Sequence, residues 1–161
     1  MAERVTEQLT IENADILFRN FSGKQTQYNA AGNRNFCVII PSEELASKMS
    51  ADGWNVKYLQ AREEGDPDRP YIQVNVSFGG RPPLIKLITS DGQTTLDEST
   101  VDMLDWADIK NVDLIVNPYN WSVNGKHGVK GYVKSLYVTI QEDEFAKKYK
   151  TPSPDDMNVP F

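Results

Sequence analysis

Apolar and polar positions alternate in short runs along most of the chain, and the period is that of a strand rather than a helix. Tyr71-Ile72-Gln73-Val74-Asn75-Val76-Ser77-Phe78 puts apolar residues at every second position through its middle, as a strand with one wet face does. Runs of the same kind, rich in β-branched and aromatic residues and bounded by Gly, Pro, Asn or Asp, cover residues 11–18, 36–40, 54–59, 84–89, 112–123 and 129–141. Asn124-Gly125-Lys126-His127-Gly128 joins the last two as a hairpin with a basic tip, because Asn-Gly readily adopts the positive φ of a tight reversal.

Helical signals are fewer. Ser42 can cap a helix over Glu43–Ser50, with Glu43 and Glu44 at the positive end of its dipole and Gly53 placed to end it. Weaker signals cover residues 100–106 and 142–149. The segment 62–70 reads as an exposed charged loop, and Gly79-Gly80-Arg81-Pro82-Pro83 as a rigid turn bearing one arginine. Many short strands with one to three short helices predict a mainly β protein, a small antiparallel barrel like the oligonucleotide/oligosaccharide-binding fold. Residues 1–150 form the expected domain. Residues 151–161, with Pro152 and Pro154 and little apolar content, form an expected flexible acidic tail.

Charge is laid out unevenly on this frame. The 161-residue chain has a net charge of -6, yet residues 16–42, 69–90 and 114–141 hold no Asp or Glu. Those stretches carry nine cations and ten of the sixteen aromatics. A flexible single strand of nucleic acid needs such a combination, cations for phosphates and flat rings for unstacked bases. The same segregation also arises where aromatic, acid-poor strands simply mark the sheet, and both readings stand at this level.

The candidate stacking residues are Phe21, Tyr28, Tyr119, Trp121 and Tyr132, which lie among Gly or Asn and near basic residues. Phe36, Phe78 and Tyr137 have apolar neighbours and are assigned to the core. Lys24, Arg34, Arg81, Lys126, Lys130 and Lys134 are the candidate phosphate contacts. In an unbulged strand Lys130, Tyr132 and Lys134 share one face and alternate with Val129 and Val133. A solvated sheet face is the alternative for these lysines.

Catalytic chemistry finds little support. Asp97, Glu98, Asp102, Asp105 and Asp108 could hold metal ions, but the last three recur every third residue beside Val101, Leu104 and Ile109, as on the wet side of a short helix. His127 has no nucleophile or carboxylate beside it, and Gly23-Lys24 lacks the rest of a phosphate loop. One cysteine, Cys37, in an apolar run and one histidine cannot form a zinc site of Cys/His type within one chain. No enzyme, cofactor or metal is expected. Nothing resembles a membrane span or a signal-peptide core, so a cytoplasmic location is expected, with homo-oligomerisation left open.

The tail ends distinctively: Asp155 and Asp156 lead to Pro160 and a terminal Phe161. A ring and a carboxylate preset by proline suit a partner pocket with an apolar slot and a nearby cation; a frayed end is the alternative. Such acidic tails resemble those of single-stranded DNA-binding proteins of bacteria and their viruses. The body also resembles a family of bacteriophage single-stranded DNA-binding proteins, through Phe18-Arg19-Asn20-Phe21-Ser22-Gly23-Lys24, Asn29 with residues 32–38, residues 52–56 and the block from Asn111 through Trp121 and Lys126 to Ile140. The resemblance implies an oligonucleotide-binding barrel that coats single-stranded DNA during phage replication and recombination, with replication or recombination proteins docking on the tail. A non-enzymatic β-domain that binds protein through its aromatic face is the alternative function.

Overall fold

The architecture is known from a computed structural model, which describes residues 5–142. Nine strands and one α-helix follow in the order β1 Leu9–Ile11, β2 Ile16–Asn20, β3 Arg34–Ile39, α1 Glu43–Asp52, β4 Lys57–Leu59, β5 Arg69–Val76, β6 Leu84–Thr89, β7 Gly92–Leu96, β8 Ile109–Val123 and β9 Lys126–Ile140. A 3-10 turn, Val101–Asp105, precedes β8. The mainly β, oligonucleotide-binding-like expectation holds, in the form of an open mixed sheet ordered β1-β8-β9-β5-β3-β2.

The long strand β9 organises the sheet. One side pairs antiparallel with β8 from end to end. On the other side, Gly131 and Tyr132 run parallel to Val74 and Asn75 of β5, while Ser135–Thr139 run parallel to Leu84–Ile88 of β6. These two parallel pairings depart from the all-antiparallel expectation. Between them the β8–β9 register slips by one residue: Val116 faces Val133 but Ile115 faces Ser135, which leaves Lys134 as a bulge. Val133 and Leu136 are both buried, so inward-facing parity changes at Lys134 and the strand bends where it passes from β5 to β6.

The core is built from one face of the strands, where Phe36 and Val38, Ile72 and Val74, Val112 and Leu114, and Leu136 and Val138 recur at every second position. Helix α1 ends as its sequence requires: Ser42 Oγ accepts from the Leu45 N–H at 3.1 Å, and Gly53, at φ 109°, donates back to the carbonyls of Met49 and Ser50. Among the described residues, no helix is long and apolar enough to cross a membrane.

Several boundaries differ from the pattern-based ones. The expected strand over residues 11–18 divides at Asn13, which takes φ 53° while its N–H donates to the Asp113 carboxylate at 3.0 Å. Within 54–59 only β4 is strand, and Trp54 forms a single bridge to Val129. Strand β7 was not anticipated, because Gly92-Gln93-Thr94-Thr95 is polar and exposed and only Leu96 is buried. The final hairpin turns on two residues, Asn124 (φ 51°) and Gly125 (φ 80°), so pairing continues to Val123 and Lys126 and Gly128 lies within β9. The expected helix over 142–149 falls outside the described residues, as do Asp155, Asp156, Pro160 and Phe161.

Candidate nucleic-acid interface

The outer face of the β8–β9 hairpin is built from facing pairs: Trp121 opposite Gly128, Tyr119 opposite Lys130, and Asn117 opposite Tyr132. Residues that face each other across an antiparallel pair project to the same side, so two cross-strand steps bring three rings and one ammonium onto a single surface. Tyr119, 56% exposed, meets Tyr132 edge-on with ring centroids 5.9 Å apart. The Trp121 indole rests directly on Gly128, where a Cβ would come within 2.8 Å of the ring. Only glycine there allows the indole to lie so close to the strand.

Beside this face opens a cleft of about 590 Å³, lined by Lys130 and Tyr132 of β9, Asn75 of β5, Phe78 beyond it, Arg34 of β3, and Glu98. Trp54 also lines it, buried and packed so near Gly131 that a Cβ there would be 3.1 Å from the indole. The cleft crosses the strands. An outer row follows register from Asn117 to Tyr132, Asn75, Asn35 and Asn20, across β8, β9, β5, β3 and β2, and of these Tyr132 and Asn75 line the cleft.

Arg34 is the most constrained cation of the cleft. Its guanidinium carbon is 5.6 Å from the centre of the Phe78 ring, and Nη1 is 3.5 Å from the Glu98 carboxylate. Its Nε is shielded from solvent without a hydrogen-bond partner among the described residues. Glu98 is carried by a turn that Asp97 ties together: the Asp97 carboxylate accepts from the N–H groups of Ser99 and Thr100 and from both their hydroxyls. Those hydrogen bonds, the Ser99 hydroxyl first, hold the Asp97 carboxyl below its ordinary range.

The cleft unites three of the nominated residues, Arg34, Lys130 and Tyr132, with Tyr119 and Trp121 on the adjoining face. Lys126 is exposed at the hairpin end, Lys134 at the bulge, and Arg81 in the turn two residues beyond cleft-lining Gly79; none of these three lines the cleft. Lys134 stays exposed despite the parity change, because it and Ser135 occupy two successive places between inward-facing Val133 and Leu136. Tyr28, 89% exposed, and Lys24 lie in the β2–β3 loop.

Phe21 is corrected. Its ring is fully buried and stacks on Phe36 at 5.2 Å, because its N–H donates to the Asp105 carboxylate at 2.6 Å and that anchor turns the side chain into the core. Ser22 contributes its N–H and hydroxyl to the same carboxylate, so Asp105 joins loop to core rather than holding a metal. Phe36 is core as assigned, whereas Phe78 and Tyr137 are only half-buried, and Phe78 supports Arg34. The sequence pattern nominates neither Trp54 nor Asn75 for the site, places Glu98 only in a carboxylate cluster, and does not single out Trp106, whose ring is 71% exposed. Asn75 could have been found from its outward position in an alternating strand. Glu98 carries no such signal, because its partner is 64 residues away.

A family described as "Putative phage ssDNA-binding domain" matches residues 1–159. The chain belongs to this family. Solved structures similar to this phage ssDNA-binding domain in fold include the single-stranded DNA-binding protein from bacteriophage Enc34 in complex with ssDNA, at TM-score 0.53 and 8% identity, covering 89% of this chain and 96% of that one. A second structure of the single-stranded DNA-binding protein from bacteriophage Enc34 aligns at TM-score 0.53 and 7% identity over 94% and 90% of the two chains. Its C-terminal truncation aligns at TM-score 0.51 and 7% identity over 84% and 87%. A search of curated proteins finds no match.

Proposed function

We propose that this protein binds single-stranded DNA without regard to sequence, and that it coats and protects the strand during phage replication and recombination. The observation that carries the reading is the cleft itself, where Arg34, Lys130 and Tyr132 meet beside the exposed ring of Tyr119 and the half-buried ring of Trp121. Family membership and the fold shared with the Enc34 protein support it. Bases stack on Tyr132, Tyr119 and Trp121, each stacked base contributing about 1–3 kcal/mol whatever its identity. Arg34 and Lys130 take phosphates within the cleft, with Lys24, Arg81, Lys126 and Lys134 reaching the strand where it leaves. About four such contacts give a slope of roughly -3 in log K against log salt.

The tail, through Asp155, Asp156, Pro160 and Phe161, docks replication or recombination proteins or competes with DNA for the cations. The protein works without a cofactor, in the cytoplasm of the infected host.

The test is Tyr132→Ala in the full chain, read by anisotropy of labelled oligo(dT) and of a duplex control at several salt concentrations. We expect about five- to 150-fold weaker binding to the single strand, from the loss of one stacked base, with the melting temperature little changed. If Tyr132→Ala and the wild type bind oligo(dT) equally, or the wild type prefers duplex, the reading fails. A protein-binding role for the aromatic face would then stand in its place.

A further inference from the structure

Trp106 is the largest apolar side chain that the fold leaves open to water, 71% exposed, although tryptophan is generally among the most buried residues on average. It immediately follows, and caps, the 3-10 turn Val101–Asp105, whose position is tightly held. Arg19 Nη1 donates to the carbonyls of Leu104 and Ala107, at 2.9 and 2.8 Å, on either side of the ring. Asp105, immediately before it, accepts three hydrogen bonds from Phe21 and Ser22. The backbone that carries the indole is therefore braced against β2 and the β2–β3 loop.

Above the ring sits Lys24 Nζ, 4.3 Å from its centre. Lys24 is positioned by the loop as well: its N–H donates to Asn20 Oδ1 at 2.9 Å, and its carbonyl accepts from the side chains of Asn20 and Asn29. Asn29 accepts in turn from Asn35, so the two amides that continue the outer row past the cleft, Asn35 and Asn20, hold the loop that presents Lys24.

This ring and cation adjoin the cleft. Gly23, next to Lys24, lies against Arg34, whose Cγ is 3.4 Å from where a Cβ of Gly23 would be. Crossing the sheet from Tyr132 on β9, the order is Asn75, then Arg34 at the start of β3, then Gly23 and Lys24 after β2, then Trp106. From β8 to β2 is four strand spacings, about 19 Å at roughly 4.8 Å each. A stacked single strand covers that span with about six nucleotides at ~3.4 Å per phosphate.

We propose that Trp106, with Lys24 above it, is a second base-stacking platform, on which the strand lands after leaving the β3 side of the cleft. The proposal rests on the single-strand-binding reading and extends it to a residue outside the cleft. Lys24 moves from the ring to a phosphate as the base takes its place. Asp102 and Asp108 near the platform disfavour phosphate, so charge contacts at this end fall to Lys24 and Arg34. A cation–π pair at the surface is weak, and a stacked base readily replaces it.

The experiment measures binding of full-length wild type, Trp106→Ala and Trp106→Phe to oligo(dT) of graded length, from about 4 to about 16 nucleotides, the range covered by single barrels of this kind. We expect Trp106→Ala to lower affinity for the longer oligonucleotides by about five- to 150-fold, to leave the shortest almost unaffected, and Trp106→Phe to retain most of the binding. Equal binding of wild type and Trp106→Ala at every length, with Tyr132→Ala still impaired, overturns the platform and leaves the cleft reading intact. A loss that is the same at all lengths and accompanied by a lower melting temperature also overturns it, since the ring would then be structural. If wild-type protein fails to prefer single strands over duplex, the underlying reading falls and the platform falls with it.

Discussion

Glu98 is the one acid among the residues lining the cleft, and replacing it with glutamine is the most direct probe of how the cleft meets phosphate. In the free protein Arg34 has one contact to that carboxylate, 3.5 Å long, and an Nε without a hydrogen-bond partner among the described residues. On the proposed function a phosphate group would bring several acceptor oxygens and replace Glu98 as the partner of Arg34, and breaking the Arg34–Glu98 pair would be a cost of binding. Unit charges 3.5 Å apart attract by about 1.2 kcal/mol in a medium as polar as water. The aqueous value is the appropriate one because the Glu98 side chain is 65% exposed. Glu98→Gln removes this competition, and we expect single-stranded DNA to bind about five- to eightfold more tightly at low salt. The gain shrinks as the screening length falls to about 10 Å near 0.1 M salt. Anisotropy titration with oligo(dT) reads the effect, and Glu63→Gln, in the exposed 62–68 loop away from the cleft, corrects for the change in net charge. In an Arg34→Met background the gain should vanish. Affinity equal to that of Glu63→Gln, or a gain that persists without Arg34, would refute the competition.

Two further outcomes follow from packing. Gly131→Ala places a methyl 2.8 Å from Val116 Cγ1 and 3.1 Å from the Trp54 indole, and should cost about 1–3 kcal/mol in urea denaturation while disturbing the cleft floor. Burial pushes the Cys37 thiol up from its ordinary value, so the folded protein holds that proton more tightly than the unfolded chain does. The associated stability is complete below the ordinary thiol range near pH 8.5 and is lost as pH rises through the folded value. Maleimide labelling of Cys37 at pH 8 should be slow in buffer and fast in denaturing urea.

The legible parts of this fold are those where a local rule decides. Ser42 and Gly53 bound α1 because capping needs only a few neighbouring residues, and Asn124-Gly125 turns the hairpin because its backbone preference is intrinsic. Lys130 and Tyr132 share their face because strand parity holds until the bulge at Lys134. Where distant partners decide, local pattern gave no guidance. Phe21 sits in a glycine-bearing loop like an exposed ring, yet Asp105, 84 residues on, turns it inward. The pairing of β9 with both β5 and β6 depends on strands some 50 residues apart, and no periodicity within any of them encodes it.

That shared strand has a consequence for how the protein comes into being. The cleft needs β9 on one wall and β3 with β5 on the other, and β9 is the last strand of the described chain. A nascent polypeptide emerging from the ribosome therefore has no groove until residue 132 and the bend after it are free to dock. The groove closes late, at the slow pace expected when contacts remote in sequence close a sheet. Translation products truncated before β9 lack one whole wall of that groove, whatever else of the sheet they assemble.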